Sequence, residues 1–237
     1  MLKVNRRIPG EQIKLLIFDL DGTLVNSQRD LANSVNAMLV HFGRKEEPCE
    51  LIASYIGDGA PMLVRRALGD PDDEHFVADA LNYFMAHYRE HLLDNTYVYE
   101  GTTQALDRMK TGPDGQQRKM AVLSNKPVRP SQRIVDGLGL SAYFFQVYGG
   151  NSFHTKKPDP LGAVTLMREA GVPPEQTVMV GDSANDVLTA RAAGMWSVGL
   201  TYGLAPHQLE QAPPDVLADS PQEMAEAVSA GVTSAKG

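Results

Sequence analysis

Four short apolar runs, Leu15 to Phe18, Met120 to Leu123, Thr177 to Val180 and Ser197 to Leu200, are separated by long stretches of helical periodicity. Strands joined through helices run parallel, because a crossover returns the chain to the same edge of the sheet, and helices then cover both faces. The chain is therefore expected to be an α/β protein. A fifth run, Phe144-Phe145-Gln146-Val147-Tyr148, predicts a shorter strand leading to Gly149-Gly150. Ligands of open parallel sheets gather outside the carboxyl ends of the strands. Chemistry is to be sought in the polar residues that directly follow each run.

The first run ends in Asp19-Leu20-Asp21-Gly22-Thr23, which sets two carboxylates two positions apart at a buried strand end. Such acids repel one another unless a divalent cation stands between them, and hard cations prefer oxygen ligands. Taken alone, an Asp-x-Asp pair also suits an acidic surface loop. The second run is followed by Ser124-Asn125-Lys126-Pro127, and the stretch after the fifth contains Lys156-Lys157-Pro158-Asp159-Pro160. The third run ends in Gly181-Asp182-Ser183-Ala184-Asn185-Asp186. In a parallel sheet all of these lie along one edge. Acids, a hydroxyl and an ammonium around one point describe a site for a divalent cation with a phosphate beside it.

Between the first two clear strands, from about Asn26 to Tyr99, the pattern is helical. Leu31, Val35, Met38, Leu39 and Phe42 recur at spacings of three and four, with Gly43 where a helix would stop. Met62, Leu63, Arg66, Ala67 and Leu68, then Phe76, Ala80, Tyr83, Phe84 and Tyr88, continue the theme. This stretch predicts a helical insert, with crossings near Asn26 to Asp30 and near Asn95 to Gly101. Two neighbouring crossings suit a hinge. The turn-rich loop Thr111 to Arg118 carries no evident function, and the tail after Ala230 is expected to fray.

Composition narrows the field. With 43% hydrophobic and 22% charged residues over 237 positions, the chain is an ordinary soluble globular protein long enough for a sizeable core. A formal net charge of -7 argues against nucleic-acid binding through a phosphate-neutralising face. The single cysteine, Cys49, excludes an intrachain disulfide and a cysteine zinc cluster, and suits a reducing compartment. None of the six histidines has convincing metal spacing, and His87 with His91 lacks a third ligand. No stretch is apolar enough to span a bilayer, nor does an apolar signal core follow the N-terminus, so a cytoplasmic location without membrane partners is expected.

Taken in order, Asp19-Leu20-Asp21-Gly22-Thr23, Ser124-Asn125, Lys157-Pro158 and Gly181-Asp182-Ser183-Ala184-Asn185-Asp186 resemble the four motifs of the haloacid dehalogenase superfamily, across nearly the whole chain. The resemblance implies a Rossmann-like core of residues 1–25 and 100–237 and a type 1 helical cap of residues 26–99. The string from Val180 to Asp186, with Ala190-Arg191-Ala192-Ala193-Gly194, is similar to the phosphoglycolate phosphatase branch. By this resemblance Asp19 is a nucleophile that becomes an aspartyl phosphate, and Asp21 is the general acid and then the general base. Ser124 and Asn125 would hydrogen-bond the phosphate, and Lys157 would offset the charge. Mg²⁺ would be held by Asp19 and Asp182 and by the backbone carbonyl of Asp21, with Asp186 positioning the site or completing the metal shell.

Simpler roles compete at several positions. Asp186 also suits a helix N-terminus, Ser183 a helix cap and Lys156 a solvated surface. Substrate choice is expected in the cap segment Tyr55-Ile56-Gly57-Asp58-Gly59-Ala60, where Gly57 and Gly59 would bring backbone N–H groups to an anion. Arg65 or Arg66 could meet a substrate carboxylate, or lie on a solvated helix face. The resemblance implies a small phosphorylated metabolite as partner, with 2-phosphoglycolate first and a sugar or amino-sugar phosphate as the alternative. A β-phosphoglucomutase-like phosphomutase would share the core residues, and a silent binding module would not need them. A dehalogenase is disfavoured by the intact acids, and Lys45, the only lysine of the insert, is slender ground for a phosphonate hydrolase. Assembly as a monomer or homodimer is left open.

Overall fold

The computed structural model describes residues 2–229, and the tail expected to fray lies outside them. The four expected strands form as β2 (Leu15–Phe18), β5 (Lys119–Leu123), β7 (Thr177–Gly181) and β8 (Trp196–Leu200). The fifth is β6 (Gln146–Tyr148), which starts two residues later than expected because a 3₁₀ turn at Ser141–Tyr143 precedes it. Phe144 instead packs edge to face against Phe18, with ring centroids 6.0 Å apart.

Two short strands of the main sheet were not anticipated, β1 (Lys3–Val4) and β9 (Val216–Ala218). Together these strands make one sheet of order β1-β9-β8-β7-β2-β5-β6. All neighbours run parallel except β1 and β9. From β2 the chain first builds outward to β5 and β6, then returns to the other side of β2 with β7. Such a reversal opens a crevice at the carboxyl ends of the central strands.

Side chains alternate across a strand, and here the alternation divides the core. Leu15, Ile17, Ala121, Leu123 and Met179 face α7 (Leu161–Ala170) and α8 (Ala184–Ala193). Leu16, Phe18, Met120, Val122, Val178 and Val180 face the opposite way, into the cluster that holds α5 (Thr102–Met109), α6 (Val128–Gly137) and α9 (Pro221–Val228). Helices on both faces make the expected α/β sandwich. Arg118, from the loop that suggested no function, is buried and donates to the carbonyls of Gly10, Ile13, Met109 and Val228, tying the chain's start to its last helix. No described helix is long and apolar enough to cross a membrane.

The insert folds as α1 (Gln28–His41), α2 (Cys49–Ala53), α3 (Ala60–Ala67) and α4 (Glu74–His91). Leu31, Val35, Met38 and Leu39 are buried as their spacing requires, and Gly43 ends the helix at φ +70°. Both crossings meet in a ribbon of two antiparallel strands, β3 (Val25–Asn26) and β4 (Tyr97–Val98). Asp30, 1% exposed, locks that ribbon. Its carboxylate accepts from the Asn95 and Thr96 amides, the Asn95 side chain and the Thr96 hydroxyl at 2.7–2.9 Å.

Candidate active site

The carboxyl ends of β2, β5 and β7 bring the four motifs around one point. Asp19 follows β2 directly, and its Oδ1 accepts from the Leu20 amide at 2.7 Å and from Lys157 Nζ at 3.0 Å. Lys157 is buried and also donates to Asp186 Oδ1 at 2.6 Å. Asp186 Oδ2 accepts from the Ser183 amide at 3.1 Å and its hydroxyl at 2.7 Å. Asp186 and Ser183 therefore do cap α8, and Asp186 holds the lysine as well. Asp182 lies deeper, and its Oδ2 accepts from the amides of Leu204 at 2.6 Å and Ala205 at 3.0 Å.

Room for Asp182 is left by Gly22, whose φ of +81° suits glycine. A Cβ there would come within 2.1 Å of Asp182 Oδ2. Carboxylate oxygens of Asp19, Asp182 and Asp186 lie within 4.8 Å of one another. Burial pushes the Asp182 carboxyl up to about 8, with Asp186 and Asp19 adding to the rise and the Ala205 and Leu204 amides opposing it. Burial also raises Asp19 to about 6 against the pull of Lys157, with Asp186 and Asp21 adding to the rise. Lys157 is raised although burial opposes it, because Asp186 and Asp19 flank it. An all-oxygen cluster of mutually repelling carboxylates fits a hard divalent cation. Among the described residues Asp182 Oδ1 and Asp19 Oδ2 take no hydrogen bond, whereas both oxygens of Asp186 are engaged.

Asp21 faces a different way. Its Oδ2 is 2.8 Å from Lys126 Nζ, and its Oδ1 accepts from Ser27 Oγ at 2.5 Å. Lys126 was not among the expected site residues, nor was Tyr88, over whose ring the ammonium sits 4.7 Å from the centroid. A signal was present: Pro127 keeps the residue before it extended, so Lys126 continues the strand crown begun by Ser124 and Asn125. Tyr88 comes from the cap and offered no such sign. Burial raises its hydroxyl to about 12.

Asp19, Asp21, Ser124, Asn125, Lys126 and Asp182 line a cavity that is closed from above by the cap through Leu31, Ile56, Gly57, Gly59, Leu63, Phe84 and Tyr88. Gly57 meets the core through its carbonyl, which accepts from Asn125 Nδ2 at 3.1 Å and Asn185 Nδ2 at 3.4 Å. Asn185 also donates to Asp58 Oδ1 at 2.9 Å, and Lys156 reaches the Asp58 carbonyl. Lys156, exposed as expected, is thus also a cap contact. The second Asn125 amide hydrogen goes to the Lys157 carbonyl at 3.0 Å, so in this arrangement the amide joins cap to core and its buried Oδ1 has no partner.

Neither arginine of α3 reaches the cavity. Arg65 pairs with Asp70 and Glu74, and Arg66 holds Asp58 Oδ2 at 2.5 Å and the Tyr55 carbonyl at 3.0 Å. The two alternatives, a substrate carboxylate or a solvated helix face, give way here to a third role: both arginines hold residues of the insert itself. Burial works to raise Asp58, but hydrogen bonds from Asn185 and Arg66 hold it below the ordinary carboxylate value.

A parallel sheet with a helical cap over a carboxylate cluster defines a capped hydrolase, and comparison with known proteins agrees. Residues 16–200 match the family described as haloacid dehalogenase-like hydrolase. The chain belongs to that family. Its relatives include a phosphoglycolate phosphatase of Pseudomonas fluorescens (strain Pf0-1), 41% identical over 82% of this chain and 72% of that one. Another, from Chromobacterium violaceum, is 39% identical over 82% and 88%. A crystal structure described as a predicted phosphoglycolate phosphatase from Haemophilus somnus 129pt superposes with a TM-score of 0.83 at 33% identity, covering 91% of this chain and 97% of that one.

Proposed function

We propose that this chain is a Mg²⁺-dependent phosphatase that hydrolyses 2-phosphoglycolate to glycolate and phosphate through an aspartyl phosphate on Asp19. The observation that carries it is the placing of Asp19 and Asp21 in one cap-covered cavity, one beside Lys157 and the metal-type cluster, the other turned toward Lys126 and the cap's Tyr88. The names of the relatives support the substrate.

In this mechanism Oδ2 of Asp19 attacks phosphorus while Oδ1 stays fixed by Leu20 and Lys157. The bond from phosphorus to the ester oxygen breaks, and a protonated Asp21 hands its proton to that oxygen. Water then attacks the aspartyl phosphate, Asp21 takes the water's proton, and phosphate leaves with Asp19 restored. Ser124 faces the charge that spreads over the phosphoryl oxygens, and Lys157 offsets it from behind Asp19. Mg²⁺, when bound by the Asp19 and Asp182 carboxylates and the Asp21 carbonyl, supplies further neutralisation of that charge. Asp186 acts at one remove, by holding Lys157. Gly57 and Gly59 shape the lid above the substrate, and a cytoplasmic location suits a small soluble substrate.

Phosphate release from 2-phosphoglycolate, hexose phosphates, N-acetylmuramic acid 6-phosphate and pyrophosphate, with and without Mg²⁺, tests the proposal. Strong Mg²⁺-dependent preference for 2-phosphoglycolate is expected. Preference for a hexose or amino-sugar phosphate would overturn the substrate, and silence across the panel would overturn the phosphatase.

A further inference from the structure

Among the described residues, Lys126 is the one cation that lines the cavity. Lys157 stands behind Asp19, held by two carboxylates, and the α3 arginines are engaged elsewhere. The Lys126 side chain is 5% exposed, and it is held between Asp21 from the core and Tyr88 from the cap. The apolar wall formed by Leu31, Ile56, Leu63 and Phe84 offers no side-chain hydrogen-bond partner. A sugar's hydroxyls pressed against that wall would lose water without compensation. A short leaving group with one negative charge would not.

Resting on the phosphatase proposed above, we infer that Lys126 selects the substrate by pairing its ammonium with the carboxylate of the leaving group. Asp21 must lie within hydrogen-bond reach, about 2.7 Å, of the ester oxygen to protonate it. Lys126 Nζ is 2.8 Å from Asp21. In a phosphorylated 2-hydroxy acid the carboxylate is one carbon from the ester oxygen, so the ammonium beside Asp21 meets it without leaving its place. The site is thereby fitted to phosphate esters of small 2-hydroxy acids, and the charge that marks them is read by the core rather than by the cap arginines.

The test compares 2-phosphoglycolate with its carboxamide, which keeps shape but not charge, on wild type, Lys126→Gln and Lys126→Arg with Mg²⁺. Wild type should favour the acid by about 100-fold in kcat/KM, the size expected for a buried charge pair. Lys126→Gln should bring the ratio to within about threefold of unity, chiefly through KM for the acid. Lys126→Arg should keep a preference of at least about tenfold, because it keeps the charge while changing its geometry. An equal loss on both substrates in Lys126→Gln overturns the inference, since the lysine would then serve Asp21 alone. Wild type that hydrolyses acid and amide equally well also overturns it while leaving the phosphatase intact; wild type that hydrolyses neither fails the 2-phosphoglycolate assignment on which the inference rests. Should Lys126→Gln not fold, as judged by circular dichroism, the wild-type ratio and the Lys126→Arg variant decide, with KM expected to shift for the acid and not for the amide.

Discussion

Crowding of Asp19, Asp182 and Asp186 sets how the metal-free fold responds to pH. Burial raises Asp182 from 3.8 to about 8 and Asp19 from 3.8 to about 6. Between pH 6 and 8 the folded chain keeps a proton on Asp182 that the unfolded chain has already released. Stability therefore falls as pH rises, by at most about 1.4 kcal/mol per pH unit for each proton so held. Over two pH units the ceiling is about 3 kcal/mol, which for a chain of this size moves Tm by roughly 6–12 °C. Asp182→Asn removes the titrating carboxyl while its amide oxygen still accepts from Leu204 and Ala205. Thermal unfolding in EDTA at pH 6, 7 and 8 should show the variant more stable than wild type at pH 8, with the gap narrowing toward pH 6. His87, lowered by burial, adds stability that is lost as pH falls through its ordinary 6.5, but it does so in both proteins and cancels from the gap. Saturating Mg²⁺ should raise wild type and close the gap. A gap that does not change with pH would refute the reasoning.

Three further outcomes are expected. Asp19→Asn should abolish phosphate release while circular dichroism shows an intact fold; retained turnover would sink the aspartyl-phosphate mechanism. Arg118→Met takes a donor from four carbonyls, of which only that of Gly10 keeps another among the described residues, the Ile13 amide, and should lower stability by about 2–4 kcal/mol in urea unfolding, with kcat little changed. Asn185→Ala removes the bonds to Gly57 and Asp58 that dock the cap and should raise KM about 3–10-fold, equivalent to roughly 1 kcal/mol, whereas an unchanged KM would argue that cap docking does not contribute to binding.

What could be read without coordinates was whatever depended on neighbours in the chain. Each central strand was visible as an apolar run, and three of the four extend only one residue beyond expectation, at Lys119, Gly181 and Trp196. Asp19 and Ser124 were visible because each follows such a run directly, and Asp182 because only Gly181 separates it from one. The strands β1 and β9 are too short for a periodic signal. Asp30 reads as one more acid on α1, since its partners lie 65 and 66 residues away. The same reason hid the pairing of Lys126 with Asp21 and Tyr88, which needs core and cap together. Arg65 and Arg66 stayed open between substrate and solvent because charge can be read from sequence but direction cannot: their partners are decided by the turn of α3 and the acids that flank it.

The ribbon of β3 and β4, with Asp30 across it, ties both ends of the cap at one spot. A loop such as Gly57-Asp58-Gly59 then behaves as a ligand tethered to its own receptor, and its few hydrogen bonds act at a local concentration of the order of millimolar or above. Weak contacts are enough to hold such a lid, because detachment never becomes dilution.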